Sequence, residues 1–189
     1  MSVEISGLKS IITPEGVFII GTYDENGVPN AMNAAWGMQS DEGEISLMLA
    51  KHKTTEHFEK TGAFTVAFGT ADTVVISDYF GVETGKKINK IEKAGCHTHP
   101  SAHVNAPIIE EYPLTLECKV LEMQQQPYGL RVLGEIVNVT ADEKVLDEKG
   151  RIDAAKLNAF AFDQMRNGYY AMGEKAGQAW HAGADLMKK

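Results

Sequence analysis

Apolar positions along the chain fall into short dense runs with a period of two or none, separated by turn residues. Val17-Phe-Ile-Ile-Gly-Thr-Tyr23 is rich in β-branched and aromatic side chains and predicts a buried strand. Asp24-Glu-Asn-Gly27 follows, and Asn-Gly between apolar runs is a strong hairpin signal because both residues tolerate positive φ. A return strand is expected from Val28 to about Trp36, and a third, alternating at first, from Glu44 to Ala50. Thr54 to Thr61 has helical spacing with Phe58 inward and Thr54 or Thr55 as N-cap. Ala63 to Gly69 predicts a strand, Ala71 to Phe80 a short helix. Two long strands are expected at Leu114–Met123 and Arg131–Thr140, joined around Pro127-Tyr-Gly129. Helices are expected at Asp153–Asn167 and Glu174–Lys189, the latter amphipathic with Trp180 and Leu186 available to pack. The pattern is mainly β, with short helices between strands, and such a chain usually closes into a barrel that removes sheet edges. Residues 1–189 form a single domain, with the C-terminal helix of about 174–189 as an appendage. Ala94 to Ala106 is expected as a long surface loop, not a domain boundary.

Composition narrows the functional classes. With 43% apolar and 23% charged residues the chain is ordinary globular protein. Its 26 acidic residues against 18 basic give a net charge of −8, so no nucleic-acid footprint is expected. The longest apolar stretch, Val17 to Ile20, is far below the roughly 20 residues of a membrane span. Met1 to Ser10 lacks the apolar run of a signal peptide. Cys96 and Cys118 make neither a disulfide framework nor a zinc pattern, which points to a cytoplasmic setting, and with so short an apolar stretch no membrane association is expected.

Four segments stand out chemically. Pro29-Asn-Ala-Met-Asn-Ala-Ala-Trp-Gly37 is a poor strand by propensity. Its small side chains fit either a flat heterocycle lying on the backbone or close packing under a helix. Lys51-His-Lys-Thr-Thr55 follows a strand and opens a helix, so it reads as a small-anion site or as an exposed, Thr-capped basic turn. Ser77-Asp-Tyr-Phe-Gly81 with Thr84-Gly85 either lines a pocket or ends a helix. In Cys96-His-Thr-His-Pro-Ser-Ala-His103, the spacing of His97, His99 and His103 matches no established metal pattern, and no metal is expected. No Gly-x-Ser-x-Gly elbow, phosphate-binding Gly-x-x-x-x-Gly-Lys loop or Rossmann glycine fingerprint is present.

In order and spacing these segments resemble the flavin reductase-like family, the FMN-binding split β-barrel proteins that include flavoredoxin. The likeness rests on Ile20-Gly-Thr22, Gly27-x-Pro-Asn-Ala-Met32 with Ala35-Trp36, and Lys53-Thr54. It continues through Thr61-Gly-x-Phe-Thr-Val66, Ser77-Asp-Tyr-Phe-Gly81, Gly85, Lys90, Ala106-Pro107, Leu116-Glu-Cys118 and Gly134-Glu135. The resemblance implies a six-stranded Greek-key split β-barrel with short peripheral helices, a homodimer, and one FMN near the dimer interface. It places Asn30, Ala31, Met32, Asn33, Ala34, Ala35 and Trp36 along the isoalloxazine ring, and Lys51, His52, Lys53, Thr54 and Thr55 at the phosphate. Ser77, Asp78 and Tyr79 would close the site, and Lys90 completes the cofactor-binding set. Asn33 and Lys53 depart from the family pattern, standing where Thr or Ser and Arg are common. The function implied is an oxidoreductase that passes electrons from NAD(P)H through FMN to an acceptor, with no catalytic side chain because the chemistry is the cofactor's. One alternative is a flavoredoxin-like electron carrier without its own NAD(P)H oxidation. Another, of a different class, is a small-molecule or metal-binding regulatory domain that uses the histidine loop.

Overall fold

The structure, a computed structural model, describes residues 2–7 and 11–187. The chain runs β1 (Glu15–Gly16), β2 (Phe18–Tyr23), β3 (Pro29–Ala34), β4 (Gly37–Asp41), β5 (Glu44–Leu49), α1 (Lys53–Thr61) and β6 (Ala63–Phe68). There follow α2 (Val74–Val82), α3 (Lys90–Lys93), β7 (Thr98–Pro100), β8 (Pro107–Ile109), β9 (Leu114–Gln126) and β10 (Gly129–Ala141). The chain continues with α4 (Ala154–Leu157), β11 (Phe160–Asp163) and β12 (Gly168–Ala171). One antiparallel sheet dominates, in the order β3-β2-β6-β9-β10-β5-β4, with β1-β11-β12 and β7-β8 as smaller sheets. This is a mainly β split barrel, with seven strands in its principal sheet where six were expected. The additional strand is β4: the return strand expected from Val28 to about Trp36 ends at Ala34, and after Ala35-Trp36 the chain forms β4 against β5.

Two apolar layers explain why the first strand reads as a continuous apolar run. Phe18 and Ile20 point inward with Met32, Leu47, Phe58, Phe64, Val66 and Val132. Ile19 points outward into a second core with Ala31, Ala67, Phe80, Ile91 and Ile109. A strand covered on both faces has no polar face to alternate with. Phe58, at the centre of α1, meets Phe64 edge-on at 5.1 Å. Burying one such ring contributes about 1.5–3 kcal/mol. The hairpin at Asp24–Val28 forms as its Asn-Gly predicts: Gly27 takes φ 74°, and Asp24 Oδ1 accepts from the amides of Asn26 and Val28.

The helices expected near the C-terminus are corrected. Only Ala154–Leu157 of the Asp153–Asn167 segment is helical, and Asn158 ends it in the left-handed region. Phe160–Asp163 then forms β11, whose Phe160 and Phe162 pack on Tyr169 of β12. Glu174–Lys189 is no helix either: residues 174–183 are loop and turn, with a 3-10 turn at Ala184–Met187, and positions 188–189 lie outside the described residues. Gly177 and Gly183 each cost a helix about 1 kcal/mol. The Ala94–Ala106 loop contains one short strand, β7.

Candidate functional site

A cleft opens where β3, the start of α1, the end of α2 and the segment leading to α3 meet. β3 ends the principal sheet, and its strand partner is β2. Alternate backbone N–H and C=O groups of an edge strand point away from its neighbour, giving a row of open donors and acceptors. Asn30, Met32 and Asn33 line one wall, with His52, Lys53 and Thr54 at its end. Residues 80–85 and Lys90 form the facing wall.

Side-chain hydrogen bonds fix these walls. The buried Asn30 donates through Nδ2 to Thr54 Oγ1 at 2.6 Å, tying the edge strand to the helix start. Asn33 Nδ2 donates to the Ser77 carbonyl at 2.8 Å and holds α2 against β3. Gly85 approaches so closely that a Cβ there would collide with Asn30 Oδ1, so only glycine lets this loop close on the strand. At α1 the N-cap is His52, not the expected Thr54 or Thr55. The His52 amide donates to Thr55 Oγ1 at 3.0 Å, and that hydroxyl donates to the His52 carbonyl at 2.8 Å. Thr55 therefore satisfies the turn, and the remaining first-turn amides and the positive end of the helix dipole favour an anion.

Charge in the cleft is local and positive. Lys53 Nζ stands 3.8 Å from Asp24. Lys90 is 4% exposed, donates to the Phe80 carbonyl at 2.8 Å and has no ion-pair partner among the described residues. Burial lowers its pKa to about 8, against the opposing pull of Glu83. Burial, then the charges of Lys90 and Lys86, hold the His52 imidazole below its ordinary value. Behind the cleft the buried His57, one helical turn after Lys53, places Nδ1 3.0 Å from Thr22 Oγ1. Burial and then Lys53 lower its pKa as well.

The structure thus gathers Asn30, Met32, Asn33, His52, Lys53, Thr54 and Lys90 of the predicted set around one cleft. The others lie apart from its lining. Ala31 and Ala34 are buried, Ala31 in the outer core and Ala34 in the inner one. Ala35 is half-buried at the end of β3, and Trp36 turns away to donate to Gln164 Oε1 at 3.2 Å. Lys51 is exposed and Thr55 is buried as a cap. Ser77 bonds the Tyr112 hydroxyl at 3.0 Å, Asp78 accepts from the Tyr169 hydroxyl at 2.8 Å, and Tyr79 packs on the outer core. Sequence reasoning missed Val82 and Glu83 on the facing wall and His57 behind it; the last was readable from its spacing to Lys53 on one helix face. In the histidine loop, His97 Nδ1 lies 2.9 Å from Glu111 and His99 Nδ1 3.1 Å from Glu110. Among the described residues no three such side chains converge on a common point.

A family model described as a flavin reductase like domain matches residues 10–164. Flavoredoxin of Desulfovibrio vulgaris (Miyazaki F) is 30% identical, with 96% of this chain and 100% of that one covered at a TM-score of 0.90. Flavoredoxin from Methanosarcina acetivorans is 26% identical over 98% of this chain and 100% of that one, at 0.89. A split barrel domain from Shewanella frigidimarina NCIMB 400 shares the fold at 20% identity, covering 89% of this chain and 87% of that one, at 0.78.

Proposed function

The chain belongs to the flavin reductase-like family, and from that premise we propose that it binds FMN in the β3 cleft and passes electrons from NAD(P)H to an acceptor. One observation carries this reading: the Asn30–Thr54 hydrogen bond joins an open strand edge and a cationic helix start in a single cleft. The residues fit the group. The free edge of β3 matches the donors and acceptors along one side of a flavin's pyrimidine ring, and Lys53, Lys90 and the first turn of α1 match a phosphate dianion. When bound, FMN supplies reversible electron exchange that no side chain here provides. The chain's own tasks are then to orient and to shield. β3 sets the ring's edge, Met32 and Phe80 offer apolar cover, and Asn33 keeps α2 close enough to exclude water.

The similarity to two flavoredoxins favours a second reading, an electron carrier that does not itself oxidise NAD(P)H. We take the working unit to be a homodimer in the cytoplasm, with both cysteines free. Purified protein should take up FMN with quenching of its fluorescence, and Lys53→Ala should weaken that binding by about tenfold. Unchanged affinity in that variant would overturn the phosphate assignment. Steady-state NAD(P)H consumption by the FMN-loaded protein supports the reductase, and none supports the carrier.

A further inference from the structure

One charge in the cleft works against the ligand proposed for it. Lys53 and Lys90 face a phosphate there, yet Glu83 lines the same cleft and is the one carboxylate to do so among the described residues. It closes α2, with its amide donating to the Tyr79 carbonyl at 3.1 Å and its backbone turning extended. An acid at a helix C-terminus meets the negative end of the dipole, so this placement does not serve the helix. Nor does an ion pair account for it: Glu83 forms none among the described residues. Its Oε1 accepts from the Thr84 amide at 2.7 Å, which fixes the carboxylate at the cleft wall. The other nearby acids are engaged, Asp24 by Lys53 at 3.8 Å and Glu56 by Lys86 at 3.3 Å.

A phosphate therefore meets an opposed field. Among the lining residues Lys53 and Lys90 bring two positive charges and Glu83 removes one, while the depressed pKa of His52 leaves its ring neutral at pH 7. Lys53 is drawn toward Asp24 as well. The surplus left in the cleft is smaller than the phosphate's own charge of about −2. We propose that Glu83 sets how firmly FMN is held: its carboxylate opposes the phosphate across the cleft, so that the bound flavin exchanges with solution. This rests on the flavin assignment of the cleft. A purely structural role gives the reverse sign. Glu83 draws the Lys90 amine toward its charged form, against burial, so if that support were its task its loss would weaken phosphate binding.

The test measures FMN and riboflavin affinity by flavin fluorescence at pH 7, in the wild type and in Glu83→Gln, which removes the charge and keeps an oxygen for the Thr84 amide. The variant should bind FMN about fivefold more tightly and release it more slowly, while riboflavin, which has no phosphate, stays within about twofold. In about 1 M salt, where charges are screened beyond about 3 Å, the FMN difference should shrink to within about twofold. FMN affinity that is unchanged or weaker in the variant overturns the proposal and leaves the flavin site intact. An equal gain for both flavins also overturns it, since the change then lies at the ring or in the fold. A gain that salt leaves untouched does the same, because a charge is then not its cause. Wild-type protein that binds neither flavin overturns the function itself.

Discussion

Lys90 concentrates the electrostatics of the cleft in one side chain. Its ammonium is buried against the Phe80 carbonyl and ring, with the ring centroid 5.9 Å away, and its pKa lies near 8. Below pH 8 folded and unfolded chains both hold the proton, so the burial penalty acts in full. Between about 8 and the ordinary 10.5 the folded chain has released the proton while the unfolded chain keeps it, and stability of the ligand-free protein rises with pH. Binding of an anion runs the other way. A phosphate favours the charged amine, so FMN binding takes up a proton above pH 8 and affinity falls toward pH 10. The phosphate, with its second pKa near 6, is fully ionised throughout and adds no slope. Titrations from pH 7 to 10 should show this decline in the wild type and a flat, weaker profile in Lys90→Gln. A flat wild-type profile would place the amine away from the anion. The sequence shows Lys90 as a cation near Gly85, but its burial follows only from how α3 docks on β3.

Among the elements, one buried acid ties the loop of the short β7–β8 hairpin to the principal sheet. Glu117 on β9 is 1% exposed, and its carboxylate accepts from Ser101 Oγ, from Asn138 Nδ2 at 2.6 Å and from Thr140 Oγ1 at 2.6 Å. Burial would raise its pKa, but these hydrogen bonds outweigh it and hold the carboxyl below its ordinary value. Its stabilising contribution is therefore complete above the unfolded pKa and lost as pH falls through the lower folded one. Glu117→Gln should cost about 1.5–3 kcal/mol in urea denaturation at pH 7, with a smaller difference in acid. An equal difference at both pH values would remove the carboxylate's charge from the account. This clamp also shows the limit of sequence reading. A Glu between Leu116 and Cys118 marks an outward position on a strand, yet nothing local says that a loop 16 residues earlier covers it. The Val17–Tyr23 strand and the Lys53–Thr61 helix were legible because their patterns are local. That a strand's Asn and a helix's Thr share one cleft followed only from the family resemblance, because the two stand 24 residues apart and no local pattern links them. Asp153–Asn167 was misread because Ala and Lys favour helix, while the left-handed Asn158 and the Phe160–Tyr169 contact impose a strand.

For the whole molecule the telling feature is apolar surface left at both ends of the chain. Val3, Ile5, Ile11 and Ile12 are exposed before β1, and Trp180, Leu186 and Met187 after β12, with Trp180 94% exposed. No described residue from 172 to 187 is buried, yet the segment carries turns of its own, from His181 and Ala182 to the Gln178 carbonyl. Such a segment gains only by covering another surface, and a fully buried aromatic contributes about 1.5–3 kcal/mol. A second copy of the chain offers the same two ends and the exposed Val75 and Val82 of α2. The protein should therefore run at twice its 20.6 kDa chain mass in light scattering at micromolar concentration. Trp180→Ala should raise the dimer dissociation constant by about tenfold. The two tryptophans allow an independent check. With Trp36 changed to Phe, emission from Trp180 alone should shift to the red on dilution, as the ring passes from a partner's surface into water. A mass of one chain, together with emission that dilution leaves unmoved, would show that these ends stay in solvent and that the protein works as a monomer.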